Sequence, residues 1–152
     1  MTSSDNIKTY TGSCHCGFLR YSIDIDLAEP KATKCNCSIC LKLNILSLKI
    51  EPPSTLTLIS PPTKDDPLLG NYTHGSKSIH FYFCKTCGVS AFYEGKYVTL
   101  DGTEVYTLNV NAVTLDPDQG IDLRQFKVQY WDGKASNWAA GARDEPYPGG
   151  SY

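Results

Sequence analysis

Seven cysteines fall into three short runs, Cys14-His15-Cys16, Cys35-Asn36-Cys37-Ser38-Ile39-Cys40 and Cys84-Lys85-Thr86-Cys87, and none lies outside them. Thiols this close in sequence point to metal ligation. Zinc takes thiolates at about 2.3 Å in a tetrahedron. The Cys84-x-x-Cys87 turn is followed by Gly88, which can take the positive φ that curls a backbone round an ion. Cys14 and Cys16 stand at i and i+2, on one face of an extended chain, and Gly12 and Gly17 let that chain bend. These four thiols can close a structural site that ties residue 14 to residue 87. Cys35, Cys37 and Cys40 then remain, and three protein ligands with an open fourth position mark a working zinc rather than a structural one. Three thiolates on a dication leave a net −1 centre. Such a centre is a poor Lewis acid and a poor source of hydroxide, but a good host for a soft thiolate brought by a substrate. The spacing leaves two other assignments open: one structural zinc with spare thiols, or a redox relay through the Cys-x-x-Cys pairs. The relay lacks the βαβ pattern that usually surrounds one.

The other candidate ligands are weaker. His15 lies between two thiols and reads as a surface residue. His74 and His80 read as ordinary loop or strand residues unless one of them lines the pocket. Phe81, Tyr82 and Phe83 read as core and as shielding for the zinc.

The elements that must bring the runs together are mostly short strands. Lys8–Ser13 leads into the first thiols. Leu19, Tyr21, Ile23 and Ile25 alternate with Arg20, Ser22, Asp24 and Asp26, the period of a half-buried strand. Residues 31–34 run into the central cysteines. Residues 43–50 read as a strand, because Pro52-Pro53 stops the apolar run too early for a helix. Further strands are expected over 55–59, 68–72, 78–83, 90–93, 98–100, 105–113 and 126–131. No amphipathic helix longer than three turns is evident. Many short strands punctuated by Pro and Gly mean a mainly β fold. The expected organisation is a loose N-terminus over 1–9, one domain over 10–133 and an irregular tail over 134–152.

Composition bounds the function. A chain of 152 residues with 41% apolar and 20% charged residues suits one soluble globular domain. A net charge of −2 gives no electrostatic case for nucleic acid or an anionic membrane. The polar N-terminus has no signal-peptide core, and no apolar run approaches the roughly 20 residues that span a bilayer. An intracellular setting with reduced thiols, and the cytoplasm as the expected compartment, also fits the odd number of cysteines.

Taken together, Gly12-Ser13-Cys14-His15-Cys16-Gly17, the Cys35–Cys40 run and Phe83-Cys84-Lys85-Thr86-Cys87-Gly88 resemble the three signature blocks of the glutathione-dependent formaldehyde-activating enzyme family, which includes centromere protein V. Val110-Asn111 followed by Asp116-Pro117, and Tyr130-Trp131-Asp132-Gly133, extend the likeness over residues 10–131. The resemblance implies a β-tent: folded antiparallel sheets round a structural zinc at Cys14, Cys16, Cys84 and Cys87. It implies a second, catalytic zinc at Cys35, Cys37 and Cys40, hence two zincs per chain and no organic cofactor. It also implies carbon–sulfur lyase chemistry, the condensation of formaldehyde with glutathione to S-hydroxymethylglutathione or its reversal. After Cys40 this chain has Leu41-Lys42-Leu43-Asn44 where many members carry Arg or another polar residue, so its pocket should be more apolar.

The leading expectation is therefore an enzyme whose partner is a small thiol or thiol adduct, glutathione first. Lys42, Lys77 and Lys85 are the candidates for its carboxylates. The alternatives are a lyase or isomerase working on another electrophile in secondary metabolism, and a non-catalytic zinc module that binds a protein.

Overall fold

Leu19, Tyr21, Ile23 and Ile25 are all buried while Ser22 and Asp24 are not, so the period of two read from the sequence is the one the chain uses. In the computed structural model, which describes residues 4–151, this segment is β2 (Arg20–Ile25). It is the middle strand of a three-stranded antiparallel sheet, between β1 (Lys8–Ser13) and β5 (Thr55–Ser60). The other strands are β3 (Lys31–Cys35), β4 (Ser47–Lys49), β6 (Leu69–Tyr72), β7 (Ile79–Cys84), β8 (Ser90–Val98), β9 (Glu104–Asn111) and β10 (Lys127–Trp131). They form a seven-stranded sheet in the order β10-β3-β4-β9-β8-β7-β6. Only its β10–β3 pair is parallel. The fold is thus mainly β with two open sheets, as expected for the β-tent class.

The core lies between the sheets. Tyr21 meets Phe92 edge-on with ring centroids 6.4 Å apart, and Tyr82 stacks on Phe92 at 4.9 Å. Leu48 and Val110 are register partners on the same face as Phe92 and are buried with it. The Tyr21 hydroxyl is a polar group that this packing carries inward. It meets Thr114 Oγ1 at 2.7 Å, so its burial costs no unmade hydrogen bond. Gly12 faces Tyr21 across the β1–β2 pair, and a Cβ there would stand 2.2 Å from the tyrosine ring. The ring occupies the space that a side chain on β1 would need.

Of the expected strand over 43–50 only three residues are strand. Residues Ser38–Leu43 form a helix, α1, and the strand β4 spans Ser47–Lys49 alone. α1 is six residues long and buries none of its side chains, so it leaves no apolar stripe in the sequence. It stops at Asn44, whose φ of 50° and ψ of 46° make the left-handed turn that lets its N–H reach the carbonyls of Cys40 and Leu41. The strand expected at 98–100 is the end of β8 and the start of its hairpin turn. The run 105–113 divides into β9 and a 3-10 turn over Ala112–Thr114.

Residues beyond β10 double back on it. Tyr130 and Arg143 form an isolated antiparallel bridge, with N–H···O bonds of 2.8 and 3.0 Å. A 3-10 turn covers Trp138–Ala140. The Arg143 guanidinium lies 3.8 Å above the Tyr147 ring. Among the described residues no helix is long and apolar enough to cross a membrane. At the other end, residues 1–3 of the expected loose segment lie outside the described residues, Ser4–Asn6 form a 3-10 turn, and β1 begins at Lys8.

Candidate metal centres

The ends of β1 and β7 carry one four-thiol group. Cys14 follows β1 and Cys84 closes β7, and each starts a tight turn of the same kind. Cys14 N–H bonds the Leu19 carbonyl and Cys84 N–H bonds the Val89 carbonyl, both five residues on. Gly17 and Gly88 take φ of 83° and 79° and return N–H groups to the Cys14 and Cys84 carbonyls. These turns aim Cys14, Cys16, Cys84 and Cys87 at one point, with all four sulfurs within 4.8 Å of one another. Cys14 and Cys16 Sγ are 3.6 Å apart, and Cys16 and Cys84 Sγ are 3.5 Å apart. Four thiolates about 2.3 Å from a tetrahedral zinc would be about 3.8 Å apart, so the donor set fits that ion. Cys14 and Cys84 are buried, Cys87 half-buried and Cys16 exposed.

Protons are unevenly held in this group. Burial works against ionising Cys87, but the Cys16 and Val89 backbone contacts and the Cys14 and Cys84 thiols outweigh it and bring Cys87 down to about 6. The Phe18 amide favours a thiolate at Cys16, yet the Cys84 thiol, with its neighbours Cys14 and Cys87, pushes Cys16 up to about 12. A dication would replace these shared protons.

The second group is built by β3 and α1. Cys35 ends β3, Cys37 is the N-cap of α1 and Cys40 lies one turn along it. Positions 37 and 40 share a helix face, which turns both sulfurs toward Cys35. The three sulfurs lie within 4.8 Å of one another, and among the described residues no histidine or carboxylate joins them. Hydrogen bonds from the Cys35 and Cys40 thiols hold Cys37 far below the usual thiol range, and the same contacts raise Cys40. The chemistry of the group is that of a three-sulfur cradle for a soft cation.

Asn36, between two of these thiols, is buried and fully bonded. Its Nδ2 donates to Asp132 Oδ1 at 2.8 Å and to the Pro148 carbonyl at 3.2 Å, and its Oδ1 accepts from Lys134 N–H at 2.8 Å. Gly133 lies directly against the cradle. A Cβ there would stand 2.4 Å from Cys35 Sγ, 2.9 Å from Trp138 Cη2 and 3.1 Å from Cys37 Cβ. Ser47 pairs with Thr33 of β3 and Asn111 of β9, which places it on the sheet face that Cys35 shares. Its hydroxyl meets Tyr93 Oη at 2.6 Å. Burial, above all, holds the Tyr93 proton on well above the ordinary range, and the Cys40, Cys35 and Cys37 thiols add to it.

A chain whose seven cysteines assemble as four and three is matched, over residues 9–129, by the family model described as glutathione-dependent formaldehyde-activating enzyme. The chain belongs to that family. A crystal structure of a Rhodobacter sphaeroides protein shares the fold, with a TM-score of 0.55 and 21% identity over 75% of this chain and 92% of that one. Membership in the glutathione-dependent formaldehyde-activating family ties the chain to glutathione-related, lyase-type chemistry, and its two cysteine groups could bind zinc.

The remaining residues singled out from the sequence add no ligand atom to either group. His15 is exposed between Cys14 and Cys16. His74 stacks on Tyr72, and His80 Nδ1 meets Asn71 Oδ1 at 3.0 Å. Lys42 is exposed on α1, two residues past Cys40; Lys85 sits in the Cys84 turn; Lys77 closes the turn that follows His74. Asn36, Ser47, Tyr93, Gly133 and Trp138 had no assigned role in the sequence. Their partners lie far along the chain, and only the inclusion of Asn36 in the cysteine run and of Gly133 in the Tyr-Trp-Asp-Gly block hinted at them.

Proposed function

We propose that this protein is a zinc-dependent carbon–sulfur lyase acting on glutathione or a glutathione adduct, in the manner of an S-hydroxymethylglutathione synthase. The observation that carries the reading is the count of donors: the Cys35 group offers three sulfurs where the Cys14 group offers four. In this reading Cys14, Cys16, Cys84 and Cys87 hold a structural zinc, and Cys35, Cys37 and Cys40 hold a catalytic one. Residues 10–133 form the single zinc-binding domain, and the chain works inside the cell on a small-molecule thiol.

When bound, zinc supplies a fourth position that favours a soft thiolate and lowers the pKa of the thiol that takes it. The protein does the rest. Cys35 from β3 and Cys37 and Cys40 from α1 fix the cradle from two elements, and Asn36 locks the backbone between them. In the condensation the glutathione sulfur forms a bond to the aldehyde carbon. The thiol proton leaves to solvent, and the carbonyl oxygen gains a proton. We assign that donation to Tyr93, kept protonated by burial and held by Ser47 on that sheet face, which regains its proton from solvent after the transfer.

Calorimetry with glutathione and S-methylglutathione tests the reading on zinc-loaded protein. Glutathione should bind with proton release. Its affinity should fall as pH falls, because sulfur ligation needs the deprotonated thiol. S-methylglutathione keeps both carboxylates and the peptide but cannot ionise, and should bind at least about tenfold more weakly, a difference of about 1.4 kcal/mol. Equal affinities would mean that the pocket reads the peptide and not the sulfur, and would remove the proposed chemistry.

A further inference from the structure

The family match ends at residue 129, yet residues 132–150 pack against the cradle that the matched region builds. Asn36 binds this segment at three separate points, Asp132, Lys134 and Pro148, and Gly150 lies close to the Asn36 Cβ. Tyr147 and Gly150 of this segment come up against Lys34, Cys35 and Trp131 and leave no room there for a water-sized molecule. What it leaves at the rim is aromatic. The Trp138 ring reaches to within the space of a methyl group on Gly133, beside Cys35 Sγ, and lies 6.0 Å from the ring of Trp131. Trp131 itself pairs with Cys35 in the β10–β3 register. Trp138 keeps 45% of its surface exposed while its Cη2 edge meets Gly133 beside the cradle.

We propose that residues 132–150 are a specificity-determining strap, latched by Asn36, that walls the Cys35 side of the cradle and uses Trp138 to select thiols carrying an apolar or aromatic group close to sulfur. The proposal rests on the thiol-binding reading and narrows it, since it assigns this chain an electrophile or thiol bulkier and less polar than a hydroxymethyl group. Indole faces hold aromatic carbon well, and a short polar group gains nothing from them. The residues that follow Cys40, Leu41-Lys42-Leu43, add apolar carbon to α1 on the same short helix.

The test uses the full-length zinc-loaded protein and two thiols of similar acidity, benzyl mercaptan and 2-mercaptoethanol, titrated by calorimetry. The parent should prefer benzyl mercaptan by about tenfold or more, and Trp138→Ala should bring the ratio below about threefold by weakening benzyl mercaptan alone. Trp138→Phe should restore most of the preference. Equal affinities in the parent, or a preference that survives Trp138→Ala, would overturn the strap while leaving thiol binding in place. Binding of neither thiol would overturn both. The zinc-loaded protein gives an independent readout. Asn36→Ala should raise amide hydrogen exchange over residues 132–150 about tenfold, with β2 as the internal reference, because the latch no longer suppresses local opening of the segment. Unchanged exchange would show that Asn36 does not latch the segment.

Discussion

Cys84→Ser should yield protein that aggregates or melts far below the parent, while Cys37→Ser should lose one zinc of two and keep near-native melting. Cys84 has no exposed surface, ends β7 and sits 3.5 Å from Cys16 across the molecule. A structural zinc in small zinc-binding peptides is worth about 10–16 kcal/mol of apparent folding free energy at neutral pH. A whole domain is stable by only about 5–15 kcal/mol. Loss of one thiolate from the four-sulfur group therefore removes a share of stability comparable to the total. The Cys35 group differs because its three sulfurs come from neighbouring positions on β3 and α1, so it closes almost no loop. Zinc content by mass spectrometry and melting by circular dichroism check both variants. A soluble Cys84→Ser protein with unchanged melting and zinc would remove the four-thiol assignment. Collapse of Cys37→Ser would show that the two groups share one structural role.

Gly95→Ala should cost about 3 kcal/mol, or roughly 10 °C in Tm for a chain of this length. Gly95 lies in β8 between Ile79 of β7 and Thr107 of β9, with φ of 156°. An added Cβ would stand 2.0 Å from the Ser78 carbonyl oxygen and 2.8 Å from the Ile79 Cα. Both neighbours are backbone, so no rotamer change relieves the contact and the start of β7 must move. Gly102→Ala is the comparison. Gly102 has φ of 87° in the β8–β9 hairpin turn with nothing within 4 Å, so its loss should be nearer 1 kcal/mol, the cost of the left-handed backbone alone. Equal melting of the two variants would mean that β7 yields freely at this point.

The parts of this molecule that were legible in the sequence are those written in residue type and short spacing. The Cys14–Cys16, Cys35–Cys40 and Cys84–Cys87 runs announce their chemistry because few other roles want thiols so close, and Gly17 and Gly88 mark the turns that aim them. β2 was legible because one face is buried and the other is not. α1 was not. Leu43 to Ile50 is apolar without a period, and a six-residue helix with no buried face leaves no stripe; the one local sign was Asn44, a residue that tolerates the left-handed turn ending a helix. The surroundings of the cradle were illegible for another reason. Asn36 meets Asp132, Lys134 and Pro148, and Ser47 meets Tyr93, through contacts between distant parts of the chain, and a single Asn or Ser looks the same in sequence whether or not it makes them.

The two thiol groups also differ in how long the ribosome takes to finish them. The Cys35 group is complete once six consecutive residues have emerged, whereas Cys16 must wait for Cys84, 68 residues later. At a synthesis rate of about 5–20 residues per second, that wait lasts several seconds. In the proposed assignment a nascent chain therefore completes its catalytic ligand set before its structural one. The order is testable with stalled chains: those halted before Cys84 emerges should already protect Cys37 from alkylation when zinc is added, while Cys14 stays reactive.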